Sequence, residues 1–295
     1  MAAVVKSAST STSLLKKSSK VPYLLLTPGL FWLTLFFVAP IATLITTSTK
    51  VPGFGIGEFE QGWRWANYLD ALTGSLPQFA RSFGYAFIAT VMALAIAYPL
   101  AYGIAFKSGK YKNLLLVLVV APFFCSFILR TIAWKQILGS DGPIFSILRA
   151  IGAVGPTAHL TATAPAVIAG LTYNFLPFMT LPLYSSLERI DPRVLEASGD
   201  LYANTFTTFR KVTLPLSMPG VVAGTLLTFI PAAGDYVNAE ILGNPKTKMI
   251  GNVINAQFLN TLNYPLAASL SFILMFAILI AVMVYIRRAG TEDLV

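Results

Sequence analysis

The chain has 295 residues, of which 56% are hydrophobic and 11% charged, with a formal net charge of +9 and a mean hydropathy of +0.70. Soluble domains run to about 45–50% apolar and about 25% charged residues, so the shortage of charge excludes a soluble globular protein and indicates an integral membrane one. The positive balance does not point to nucleic acid, because the basic residues cluster at the ends of apolar runs, where membrane topology puts them.

Residues 1–20 are rich in Ser, Thr and Lys and read as a flexible tail. A signal peptide has an apolar core of roughly 7–15 residues and a small-residue cleavage site. The run beginning at Tyr23 is longer, so it reads as an uncleaved first span. A helical crossing takes about 20 apolar residues, and six stretches qualify: 23–47, 82–106, 113–138, 164–187, 217–236 and 265–286. The fold class expected is therefore all-α, with six transmembrane helices and a permease domain over 21–290.

The loop from Lys50 to Arg81 holds Pro52-Gly53-Phe54-Gly55-Ile56-Gly57. It lacks the glycine spacing and strand–helix context of a nucleotide-binding fingerprint and reads as a turn-rich loop. Trp63, Trp65 and Tyr68 suit the headgroup level, where amphipathic rings are favoured. Lys6, Lys16, Lys17 and Lys20 precede the first span, and Lys107, Lys110 and Lys112 crowd the short loop after the second. Arg189, Arg193, Arg210 and Lys211 lie between the fourth and fifth, and Arg287 and Arg288 follow the sixth. The positive-inside rule then places both termini in the cytoplasm, in a cell membrane. Pro40, Pro99, Pro122, Pro177 and Pro231 mark one proline in each of the first five spans, which predicts kinks. Two readings of them stand: helices bent around a changing cavity, or the ordinary enrichment of proline in membrane helices.

Between the fourth and fifth spans lies Leu195-Glu196-Ala197-Ser198-Gly199-Asp200-Leu201-Tyr202, followed by Val212-Thr213-Leu214-Pro215. Charged groups at this density cannot sit in lipid, so residues 188–215 form an aqueous elbow. Asp191 caps a helix that Pro192 opens and that runs to about residue 202. Asn204 caps a second, over 205 to about 212, which Leu214-Pro215 ends, since the residue before proline disfavours the helical region. Val194, Leu195, Ala197, Ser198 and Leu201 give the first helix a mostly apolar face, and Glu196 and Asp200 an acidic edge. Such a helix fits a groove on a partner or lies on a membrane surface.

The elbow resembles the coupling loop of ATP-binding-cassette importer permeases. That loop reads Glu-Ala-Ala, three residues, Gly, then at a fixed distance an apolar residue, any residue, Leu-Pro; here the positions are Glu196, Ala197, Ser198, Tyr202, Val212, Leu214 and Pro215. The departure is Tyr202 in place of glycine, where a turn with positive φ is expected. Leu129-Arg130-Thr131-Ile132-Ala133-Trp134 is similar to a run of spermidine/putrescine permeases. So are Gly234-Asp235-Tyr236-Val237, Ile241-Leu242-Gly243-Asn244-Pro245-Lys246-Thr247, Met249-Ile250-Gly251-Asn252 and Asn263-Tyr264-Pro265-Leu266-Ala267-Ala268. The resemblance implies a type I importer permease with the MetI-like arrangement, paired with a second permease and bound to two ATPase subunits through Glu196, Ala197, Ser198, Asp200, Tyr202, Leu214 and Pro215. An extracytoplasmic binding protein delivers a small cationic substrate. Permeases for ferric iron, sulfate and opines share this pattern. ATP and magnesium belong to the partner, since no Walker motif occurs here.

Candidate pathway residues are Trp134, Tyr173, Asn174, Asp235, Tyr236 and Glu240. Asp235 stands 20 residues beyond Pro215, roughly 30 Å along a helix. With Glu240 it forms an acidic mouth, or it pairs with Arg130 or Lys135. Tyr173 and Asn174 line a path or hold helices together. Trp134 stacks on a cation or anchors at the interface. No catalytic or metal site is expected: Cys125 is the one cysteine and His159 the one histidine. Neither a zinc motif nor a nucleophile elbow occurs. An ion-coupled carrier would carry internal repeats and midplane titratable groups, and would leave the elbow unexplained.

Overall fold

The computed structural model describes residues 21–289, apart from 56, 153–154 and 156–158. The expected tail over 1–20, with its lysines, lies outside the described residues. The first span joins α1 (Val21–Leu33) to α2 (Ala39–Ser48) through a π-helical turn at Thr34–Val38. The loop after it is partly a hairpin of β1 (Lys50–Pro52) and β2 (Phe59–Gln61), antiparallel, with Lys50 opposite Gln61. Its glycine-rich tip closes through the Gly53 N–H, which donates to the Glu58 carbonyl at 2.8 Å.

The second span is longer than hydropathy suggests. α3 (Ala66–Tyr102) begins 16 residues before the expected start at 82. Its first part is amphipathic: Ala71, Ser75 and Phe79 are buried four residues apart, and Ala71 and Phe79 pack with Ile250, Leu270 and Leu274. An apolar run stops where a helix gains a polar face, although the helix continues.

The third span corrects the expectation of one kinked helix over 113–138. α4 (Lys112–Val120) passes into a 3₁₀ turn at Ala121–Phe124, and α5 (Phe127–Ile137) leaves at 98° to what precedes it. Pro122 cannot donate to the helix, and Cys125 (ψ 144°) and Ser126 (ψ 136°) are extended. After α6 (Pro143–Ala150), α7 (Ala164–Glu188) runs unbroken past Pro177 and Pro182. The elbow holds α8 (Pro192–Asp200) and α9 (Thr205–Thr208), then a π-helical turn at Phe209–Thr213 and α10 (Leu214–Leu216). The second elbow helix does not stop at Leu214-Pro215 as expected. The Leu214 N–H reaches back five residues to the Phe209 carbonyl, and this widened turn accommodates a proline ring that a regular turn would exclude. The break falls instead at Ser217, where α11 (Met218–Ala233) departs at 64°. α12 (Val237–Leu242), α13 (Ile250–Leu259) and α14 (Tyr264–Ala289) complete the described chain.

Among the described residues four helices are long and apolar enough to cross a membrane, and up to six spans result if each bent pair counts as one. α3, α7 and α11 pack together at the centre. Ala86, Ala89, Ala93, Ala97 and Ala101 make one fully buried stripe on α3, against Leu171, Phe175, Met179, Leu183 and Leu187 of α7. Small residues let backbones approach where lipid supplies no hydrophobic drive between helices. Gly220 and Gly224 do the same on α11: a Cβ at Gly220 would stand 2.7 Å from the Pro182 carbonyl oxygen, and one at Gly224 would stand 2.8 Å from the Met179 sulfur.

Candidate functional site

The elbow is built by local capping. The Asp191 carboxylate accepts from the Arg193 N–H at 2.9 Å, opening α8. α8 closes at Tyr202, whose φ is +57°. The Tyr202 N–H donates to the Gly199 carbonyl at 2.9 Å, and the Ala203 N–H to the Ser198 carbonyl at 3.1 Å. That pair of bonds is a Schellman closure, which favours glycine at the left-handed residue. Tyrosine makes the turn expected of a glycine, at a backbone cost of about 1–2 kcal/mol. Its side chain is 99% exposed, so no packing within the chain offsets that cost. Asn204 Oδ1 accepts from the Thr207 N–H at 2.8 Å and starts α9. Ser198 Oγ donates to the Leu195 carbonyl and lies 2.8 Å from Thr208 Oγ1, so the Thr208 hydroxyl donates to it and ties α9 to α8.

The elbow has two faces. Leu195, Phe209 and Leu214 are half-buried against Leu183, Leu187 and Ile190. Glu196, Ala197, Asp200, Tyr202 and Pro215 are exposed. Val194, Leu201 and Phe206 are exposed beside them. The outward face is thus apolar with an acidic edge. Two of the expected docking residues face inward: Ser198 is buried as a link between the two helices, and Leu214 packs on the core.

Near the middle of α7 a second cluster forms. The Trp134 and Tyr173 ring centroids are 5.2 Å apart. The buried Asn174 amide donates to Thr131 Oγ1 at 3.1 Å and to Asn238 Oδ1 at 3.0 Å, linking α7 to α5 and α12. Asp235 lies beyond the end of α11 and caps α12, its carboxylate accepting from the Asn238 N–H at 2.8 Å. The Asp235 side chain is buried. The pairing with Arg130 or Lys135 is not formed: among the described residues the ion pairs are Arg64 with Asp70 and Lys112 with Glu188. Glu240 accepts from Asn252 Nδ2 at 2.9 Å, and the same amide donates to the Tyr236 carbonyl at 2.9 Å. Tyr236 itself is exposed. Two glycines allow this packing: a Cβ at Gly170 would stand 2.7 Å from Asn238 Oδ1, and one at Gly251 would stand 2.7 Å from the Gly234 carbonyl oxygen.

Trp134, Tyr173, Asn174 and Asp235 therefore belong to one neighbourhood, while Glu240 and Tyr236 join it through Asn252. Sequence reasoning missed Thr131, Asn238 and Asn252. The signals were present: a buried amide such as Asn174 needs polar partners on neighbouring helices, and Asp235 three residues before Asn238 is a capping spacing. Among the described residues no group of three or more His, Cys, Asp or Glu is placed to hold a metal ion.

These parts describe a multi-pass α-helical membrane protein that presents a structured polar elbow at one end. Residues 97–289 match the family described as binding-protein-dependent transport system inner membrane component. The chain belongs to this family of ABC-importer permeases, whose members are non-catalytic transport subunits. It is 42% identical over 200 residues to the spermidine/putrescine transport system permease protein PotB of Haemophilus influenzae, covering 68% of this chain and 70% of that one. It is 34% identical over 277 residues to the protein of the same name in Salmonella typhimurium, covering 93% and 96%. In fold it is similar, with a TM-score of 0.68 and 17% identity over 90% of this chain and 92% of the other, to a chain of a bacterial alginate ABC transporter. That transporter was solved in complex with an alginate pentasaccharide-bound periplasmic protein.

Proposed function

We propose that this chain is the permease subunit of an ATP-driven importer of polyamines, with spermidine and putrescine as substrates. The observation that carries the substrate class is likeness over nearly the whole chain to permeases bearing those names. In this reading a second permease completes the pathway, and two ATPase subunits bind the elbow over 188–215, which carries their motion into the spans. A binding protein on the opposite side delivers the substrate. Both termini and the elbow then face the cytoplasm, in agreement with the distribution of lysine and arginine. Trp134, Tyr173 and Asp235 give the bundle, away from the elbow, an aromatic pair and a buried acid, the groups that attract an organic cation.

The mechanism needs no chemistry in this chain. Outward and inward forms differ in how the partner ATPases grip the elbow, and ATP binding shifts their populations by differential affinity. The mixed acidic and apolar outward face of α8 suits such a grip, with the Ser198–Thr208 bond holding α8 and α9 as one unit.

The test is uptake of labelled spermidine and putrescine in cells lacking this chain and complemented with it. Restored uptake, competed by unlabelled polyamine and not by sulfate or chelated ferric iron, supports the reading. Normal protein levels without polyamine uptake overturn the substrate assignment.

A further inference from the structure

Arg130 sits where the third span breaks. Its Nε and Nη1 are buried and have no hydrogen-bond partner. The guanidinium carbon lies 5.6 Å from the Phe123 ring centroid and 5.7 Å from that of Phe127. Phe123 stands edge-on to Phe178 at 5.0 Å, and Phe127 lies 6.2 Å from Phe175. Arg130 is thus held in an aromatic cage shared by the broken span and α7. Ring faces attract a cation, but they satisfy none of its N–H groups. A guanidinium stays charged in proteins, and leaving a buried charge without a counter-ion is strongly unfavourable. Among the described residues no carboxylate pairs with it.

Depth narrows the source of the missing anion. Lys112 and Glu188 are joined at 2.6 Å at the elbow end of the bundle. Phe178, Phe175 and Asn174 stand 10 to 14 residues back along α7 from Glu188, roughly 15–21 Å at helical rise. In a hydrocarbon layer about 30 Å thick, the cage lies well inside both headgroup regions. A lipid phosphate is out of reach at that depth. The side chains beside Arg130 are open: Leu129 is 65% exposed, with Phe124 and Ile128 exposed nearby.

We propose that Arg130, half-buried with its Nε and Nη1 fully enclosed, is one half of an ion pair between subunits, its partner being an Asp or Glu carboxylate within a span of the second permease. This rests on the importer reading above, in which a second permease packs against this chain. In the polyamine reading the substrate is a cation and cannot serve as the counter-ion, so the carboxylate comes from protein. The pair fixes the register of the two permeases at the level of the break and neutralises a charge that would otherwise repel a polyamine.

The test uses the complete transporter in native membranes and reads assembly, not uptake, so that its failure and failure of the polyamine assignment are distinguishable. A benzophenone amino acid is placed at Leu129, and a tag on this chain recovers its partners. The expected result is a photo-crosslink to a span of the second permease that carries an Asp or Glu. Arg130→Met should lower recovery of the second permease at least fivefold and Arg130→Lys less. Neutralising the crosslinked carboxylate should lower recovery as much as Arg130→Met, with no further loss in the double variant. Crosslinking to lipid, to a second copy of this chain or to nothing overturns the proposal, as does recovery at the wild-type level with Arg130→Met. Should Arg130→Met fail to accumulate, the crosslink in the otherwise unaltered chain decides.

Discussion

Tyr98 and Ser217, 119 residues apart, meet through a buried 2.7 Å contact between their hydroxyls. Ser217 Oγ donates to the Leu214 carbonyl at 3.1 Å, so Tyr98 is the donor to Ser217. The contact joins the central helix α3 to the 64° bend where the elbow becomes α11. The Phe209 ring stands edge-on to Tyr98 at 5.5 Å, so one α3 side chain touches both the widened elbow turn and the bend after it.

Tyr98→Phe keeps the ring contact with Phe209 and deletes only the donor. A neutral hydrogen bond contributes about 0.5–1.5 kcal/mol, so thermal unfolding of the purified complex should show a small loss. Uptake per ATP hydrolysed should fall more than stability does. An unchanged ratio would mean that the contact is structural and carries no motion.

Tyr202→Gly should stabilise the elbow by about 1 kcal/mol, since the left-handed conformation costs a bulky residue about 1–2 kcal/mol and the exposed ring packs on nothing in this chain. Hydrogen exchange of the amides of Tyr202 and Ala203, which close α8, should slow accordingly. Tyr202→Val should act in the opposite direction. Faster exchange in Tyr202→Gly would show that the ring stabilises the turn after all.

Asp235 separates into a cap and a charge. Asp235→Asn keeps an oxygen to accept from the Asn238 N–H, so its effect on stability should be a few tenths of a kcal/mol, whereas Asp235→Ala should cost about 0.5–2 kcal/mol. Uptake of a cation should fall in both. Full uptake with Asp235→Asn would assign this residue to the cap alone.

The Asn174–Asn238 bond should behave as intramembrane polar contacts do, with a coupling of about 0.6 kcal/mol and at most about 1.7 kcal/mol. A double-mutant cycle with Asn174→Ala and Asn238→Ala, read by thermal unfolding, measures it. Strict additivity of the two losses would contradict a direct interaction.

Much of the fold was legible because apolar run length is set by the bilayer. The elbow was legible to the residue at its start, since Asp191-Pro192 and Asn204 cap by local chemistry that a sequence displays. What the sequence hid was tertiary. The amphipathic first part of α3 is helical because Ala71 and Phe79 meet Ile250 and Leu270, residues about 180 positions away. The break at Pro122 depends on two extended residues that no pattern marks. Pro215 passes through a helix because the preceding turn widens, an outcome that local preference alone opposes. For the far cluster, Trp134, Tyr173, Asn174 and Asp235 were each identifiable singly. Their polar partners Thr131 and Asn238 emerged only once α5 and α12 were seen against α7.

If partner ATPases drive this permease through the outward face of α8, Glu196→Arg breaks their contact. The side chain is exposed and lies in a helix whose caps it does not touch, so the variant should fold and insert at the wild-type level. Measured side by side in cells lacking the chain, wild type should restore ATP-dependent polyamine uptake and Glu196→Arg should not, with the ATPase subunits lost from the isolated variant complex. Uptake by Glu196→Arg equal to wild type, with the ATPase still bound, would mean that the ATPases do not grip this face of α8.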